Sequence, residues 1–172
     1  MAIPQELYEL SSRDPDGSIW KGARREIITG KEGSTGLVAF QLLPEQSGAL
    51  IVSNSLTGAL YTLPTPVAGM WFEFITLLAP SSNEVKVITK TIATEFILGA
   101  VTAFEAFAQL NDSGTAYPAL TGDSFVSINQ NGTTTGGLPG DNFILTAIST
   151  TRWMASGMNI QSGSTADPWS TS

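Results

Sequence analysis

Between Ser47 and Gly99 the apolar positions fall in short runs, each closed by Gly, Pro or Asn. Residues 49–53 (ALIVS) end at Asn54, and residues 59–63 (ALYTL) end at Pro64. Residues 70–79 (MWFEFITLLA) form the longest run and end at Pro80. There Phe72 and Phe74 alternate with Trp71, Glu73 and Ile75, which covers both faces of a strand, as in a sandwich interior. In residues 84–89 (EVKVIT) Val85 and Val87 take one face and Lys86 and Ile88 the other. The same pattern predicts strands over 37–42, 125–129, 142–149 and 152–160, the last two as a hairpin. Residues 95–99 read as strand. Residues 102–110 stay open between strand and short helix, because Ile97, Val101, Phe104 and Ala108 also fit helical spacing. Eight to ten short strands at regular turn spacing predict an all-β fold, an antiparallel β-sandwich or jelly roll. Trp71, Phe72, Phe74 and Trp153 are its expected core.

Charge divides the chain. Residues 1–35 carry Arg13, Lys21, Arg24, Arg25 and Lys31, five of the eight basic residues, beside six acids. From Gly36 onward Lys86, Lys90 and Arg152 face nine acids. The expected organisation is an extended N-terminal arm over 1–35, a sandwich over 36–160 and a polar tail over 161–172. A strand folded onto its own body is the competing reading of the arm. Within it Tyr8, Trp20, Arg24 and Arg25 are the candidate contact residues, as apolar plugs and charge pairs. Trp20 and Trp169, in polar surroundings, read as anchors for protein contact ahead of platforms for sugar.

Composition narrows the chemistry. The chain has 172 residues, 42% of them apolar and 13% charged, with 17 Gly and 9 Pro, which suits one turn-rich domain with a real core. It holds no Cys and no His, so disulfides, Cys/His zinc sites, Ser-His-Asp triads and Cys-His dyads are excluded. A formal charge of −7 disfavours non-specific nucleic-acid binding. MAIPQELYEL lacks a basic start followed by an apolar run, and the run 69–80 is too short to span a bilayer. No targeting segment and no membrane contact are therefore expected. Asp123 and Asp141 could form a glycosidase-type pair, but each follows a Gly at the head of a strand, where Asp caps a turn. Asp14-Pro15-Asp16-Gly17 lacks the later ligands of a calcium loop, while Asp112, Asp123 and Asp141 could share an ion only through the fold. Asn131-Gly132-Thr133 reads as a tight turn. No catalytic role, no metal and no cofactor are expected.

Several phrases gain weight from their order. Ser47-Gly48, residues 60–64 (LYTLP), 69–74 (GMWFEF), 85–89 (VKVIT) and 96–99 (FILG) are followed by 140–145 (GDNFIL) and 152–157 (RWMASG). Over residues 47–158 this order resembles small β-rich virion proteins of tailed bacteriophages. The resemblance implies a virion β-sandwich module, most like a capsid decoration (cement) protein. It implies a homotrimer on the outer capsid surface that clamps neighbouring copies of the major capsid protein. A receptor- or carbohydrate-binding module of a tail fibre is the alternative. The first 46 residues lie outside the resemblance.

Overall fold

A computed structural model of the chain describes residues 25–30, 37–106 and 114–172. The strands are β1 (Ile27–Thr29), β2 (Val38–Gln41), β3 (Leu50–Asn54), β4 (Ala59–Thr62), β5 (Trp71–Leu78) and β6 (Val85–Ile88). They continue with β7 (Phe96–Glu105), β8 (Thr115–Ala119), β9 (Ser127–Gln130), β10 (Asn142–Ala147), β11 (Arg152–Gln161) and β12 (Trp169–Ser170). Among the described residues a single 3-10 turn, Pro44–Gln46, precedes β3. The fold is an all-β sandwich, as the alternation implies. One sheet has seven strands in the order β1-β3-β5-β10-β11-β7-β8, and the other has five, β12-β9-β6-β4-β2.

The sheets are mixed rather than antiparallel. From β1 to β6 the chain crosses from one sheet to the other at every step. It therefore returns to each sheet in the same direction, beside the strand it left. Strands β1, β3 and β5 are parallel neighbours in one sheet, and β2, β4 and β6 in the other. A parallel pair needs a long crossover; here each crossover is a strand of the opposing sheet. Strand β7 is parallel to β11, and the antiparallel hairpin β10–β11 lies between β5 and β7. Strands β8, β9 and β12 complete the two sheets by antiparallel pairing.

Three boundaries differ from the sequence expectation. Residues 27–29, assigned to the arm, are the edge strand of the seven-stranded sheet. Strand β7 runs unbroken to Glu105, so residues 102–105 are strand. The polar tail is part of the sandwich: β11 reaches Gln161, and β12 pairs with β9.

The core lies between the sheets. Tyr61 of β4 meets Phe74 of β5 edge-on, with ring centroids 5.9 Å apart, so this contact bridges the layers. Phe74 stacks on Phe143 at 5.0 Å, and Phe72 packs against Trp153 at 6.1 Å. Each such ring taken from water contributes roughly 1.5–3 kcal/mol. Trp71 is not a core residue. Strand alternation turns it outward while Phe72 and Phe74 point in.

The outer faces differ. On the seven-stranded sheet, Leu50, Glu73, Ile144 and Ser156 form one cross-strand row. Val52, Ile75, Asn142 and Met158 form the next, and Trp71, Thr146 and Met154 a third. Glu73 is the one charged residue in these rows. On the five-stranded sheet the corresponding rows are Ala39, Leu60, Lys86 and Asn129, then Gln41, Thr62, Ile88 and Ser127. That face mixes polar and apolar side chains, as a solvated face does.

Candidate functional site: the Arg25 anchor and the Asp141 hub

Of the four arm residues singled out by sequence, Tyr8, Trp20 and Arg24 lie outside the described residues. Arg25 is placed, and it binds its own body. Its guanidinium forms an ion pair with Glu73 and lies over the Trp71 ring, 4.7 Å from the centroid. Its Nε donates to the Gly48 carbonyl at 2.9 Å and its Nη2 to the Ala49 carbonyl at 3.3 Å. Glu73 also accepts from Asn142 Nδ2 at 3.2 Å, which holds the carboxylate in place. The pair is partly exposed, so its ion-pair contribution is at most about 1 kcal/mol. The stacking adds roughly 0.5–1 kcal/mol. Position is the larger consequence. Leu50 N–H donates to the Glu26 carbonyl and Gly30 N–H to the Val52 carbonyl, so residues 25–30 are fixed from both ends. The chain before Arg25 therefore starts from a fixed point on the outer face of the seven-stranded sheet.

The second constellation is internal. Asp141 is 1% exposed. Its Oδ2 accepts from Gln130 Nε2 at 2.8 Å and from Gly137 N–H at 2.5 Å, and its Oδ1 accepts from Ile160 N–H. Gln130 Nε2 also donates to Asn159 Oδ1 at 3.0 Å, and Asn159 Nδ2 donates to the Thr135 carbonyl. One carboxylate thus ties the end of β9, the 130–140 loop and the end of β11 together. The loop folds closely over it. Gly136 sits at φ +98°, and a Cβ there would lie 2.8 Å from Asp141 Oδ2. Burial pushes the Asp141 carboxyl up to about 7, against the downward pull of the Gly137 and Ile160 N–H groups.

These placements define what each acid can do. Asp123 is spent on a turn: its Oδ2 accepts from Leu120 N–H at 2.7 Å, and its own N–H donates back to the Leu120 carbonyl. That is the capping role expected of a Gly-Asp turn. Asp141, surrounded by three donors and closed from solvent, presents no oxygen to a substrate. Among the described residues no group of three or more acids comes together to hold a metal ion. Asp112 lies outside them. Asn131 Oδ1 accepts from the N–H groups of Thr133 and Thr135 within its turn.

Trp169 reverses its expected role. It is 7% exposed, packs near Phe125 and donates from Nε1 to the Tyr117 carbonyl at 3.0 Å. It anchors the C-terminal segment to its own core and is not available to a partner. Sequence reasoning also missed Gln130, Asn159 and Gln161. A signal was present in β11: Trp153 and Ala155 point inward, and the same phase carries Asn159 and Gln161 inside. Comparison with protein-family models, with curated proteins and with solved structures returned no match.

Proposed function

We propose that this chain is a structural protein of a phage virion, a rigid sandwich that docks on the outside of an assembled capsid and clamps neighbouring copies of the major capsid protein. The observation that carries this reading is the Arg25 anchor. A charge-dense N-terminal segment joins the body at a point held by an ion pair, two carbonyls and an aromatic face. A segment rooted on a rigid body gains affinity by tethering, because each of its contacts becomes intramolecular once the body has docked. A ligand of the assembled state alone then stabilises that state by mass action. Tyr8, Trp20 and Arg24 supply the segment's apolar plugs and one charge, while Arg25 acts as its root. The ordered phrases over 47–158 support the virion assignment independently of the anchor. The test is sedimentation with intact particles. The full chain co-sediments in a fixed copy number per capsid, and a chain lacking residues 2–24 stays folded and remains in the supernatant. Equal sedimentation of both forms would overturn the role of the segment. Absence of the full chain from the particle pellet would overturn the virion reading itself.

A further inference from the structure

We propose that the loop over residues 131–137 and the strap over 162–166 form a latch on Asp141, closed while its carboxyl keeps a proton and loosened when the proton is lost. The latch has two layers. The inner layer is the loop, which donates Gly137 N–H to Asp141 Oδ2 at 2.5 Å. A Cβ on Gly136 would meet that same oxygen at 2.8 Å, so the loop backbone lies directly on the carboxyl. The outer layer is the strap. Its Ser162 N–H donates to the Thr133 carbonyl at 3.0 Å and its Ala166 N–H to the Thr134 carbonyl at 2.8 Å. Gln161 closes the strap on itself, donating from Nε2 to the Ala166 carbonyl at 3.3 Å. Loop and strap are thus bonded to each other, and the loop to Asp141, so the carboxyl holds both.

The enclosure makes this cover sensitive to charge. A buried carboxylate is stabilised by a counter-charge, and every group that Asp141 meets among the described residues is neutral. These are Gln130 of β9, Gly136 and Gly137 of the loop, and Ile160 N–H of β11. From β5, Thr76 donates its N–H to the Asp141 backbone carbonyl. The nearby charged groups are engaged elsewhere or carry the same sign. Glu73 of β5 pairs with Arg25. Glu105 of β7 stands opposite Gln161 in the strand register, and Asp167 accepts from Trp169 N–H. Closed from water with no cation, the Asp141 carboxyl keeps its proton up to about 7. Opening the cover admits water and returns the group to its ordinary 3.8, so the closed state holds a proton that the open state has lost. Opening therefore gains about tenfold per pH unit within that window and nothing further above it. The strap is also one wall of a polar cleft of about 530 Å³, lined by Ala103, Glu105, Thr115, Gly163, Ser164 and Thr165. Loosening the latch frees that wall. The inference does not depend on the virion reading.

Amide hydrogen exchange on the full chain tests it, read by NMR at pH 5 and pH 8, with each rate divided by that of an unstructured amide at the same pH. Protection at Gly137, Ser162 and Ala166 should fall at least about tenfold from pH 5 to pH 8. Low urea separates the latch from global unfolding, because a local opening exposes little surface and responds weakly to denaturant. The three latch amides should therefore exchange at rates that low urea barely changes, while Leu145, in the middle of the seven-stranded sheet, accelerates. In Asp141→Asn the protection of the three amides should be the same at both pH values. Equal protection at both pH values in the wild type overturns the proposal. So does an equal fall in Asp141→Asn, which would assign the dependence to another group. Latch amides that accelerate in urea as steeply as Leu145 also overturn it, because the cover then opens only when the whole chain unfolds. The wild-type measurements decide the matter by themselves if Asp141→Asn does not fold.

Discussion

Tyr61 brings a hydroxyl into the core, where neither it nor Ser53 Oγ meets hydrogen-bond geometry with a partner among the described residues. Ser53 lies near enough to pull the phenol down, but burial outweighs it and pushes Tyr61 up to about 12. Leaving such a group unpaired costs about 1–3 kcal/mol, so removing the oxygen while keeping the ring is favourable. Tyr61→Phe should raise stability by about 1 kcal/mol, a rise in Tm of roughly 2–4 °C in a chain of this size. A fall in Tm in a melting experiment would mean that the phenol has a partner. Asp141 sets a different dependence. Its carboxyl titrates near 7 in the fold and at its ordinary 3.8 when unfolded. Between these values the folded state holds a proton that the unfolded state has lost. The contribution is complete below pH 3.8, declines as pH rises to 7 and is constant above. It amounts to on the order of 4 kcal/mol at most. Asp141→Asn removes the titration, so the stability difference between wild type and variant in urea should shrink across that window. A flat difference from pH 4 to 7 would sink the assignment. Neither acid could be ranked from sequence. Asp123 and Asp141 share one local phrase, and only the fold brings Gln130 and Asn159 to the second.

At the scale of elements, alternation located the longer strands well and failed where a strand was too short to alternate. β12 has two residues and follows Pro168, so nothing in its pattern separates it from a tail. β1 has three residues inside a charge-dense stretch, where its Ile pair reads as isolated plugs. β7 was blurred by Gly99, a weak residue for either regular structure. The sheet supplies the reason for that glycine. It sits at φ +119°, and a Cβ there would lie 2.1 Å from the Ala155 carbonyl oxygen on the neighbouring β11. The strands approach at a point that admits no side chain. Strand direction was the larger omission. Short turns between runs suggest hairpins, but pairing is a relation between elements, and alternation within one run carries no trace of it. The available signal was spacing: the partners Ile27, Leu50 and Glu73 recur at a constant chain interval, as expected when the chain visits one sheet on alternate strands.

For the whole molecule, the question is where the folded body begins and ends. Charge and composition place the boundaries at residues 35 and 161, whereas packing moves both outward. At the N-terminal side, Arg25 and β1 are held by Gly48, Ala49, Glu73 and β3. At the C-terminal side, Trp169 fills the core beside Phe125, and Val126 N–H donates to the Ser170 carbonyl. The described residues thus place Ile27–Thr29 and Trp169–Ser170 within the sandwich, and the two ends of the chain should respond differently to truncation. A chain lacking residues 2–24 keeps every contact described above, so its Tm should stay within about 2 °C of the full chain's. Ending the chain after Ala166 removes β12 and leaves a void where Trp169 packed. Loss of a buried Trp side chain costs about 3–5 kcal/mol, which corresponds to a fall in Tm of roughly 10 °C. Asn129 N–H and Tyr117 C=O would also lose the Pro168 carbonyl and the indole N–H that they now bond. Melting curves of the two truncations, measured at one protein concentration, decide the point. Equal stability of the C-terminal truncation and the full chain would return residues 167–172 to the status of a tail. A large loss on removing 2–24 would place part of the core in the N-terminal segment.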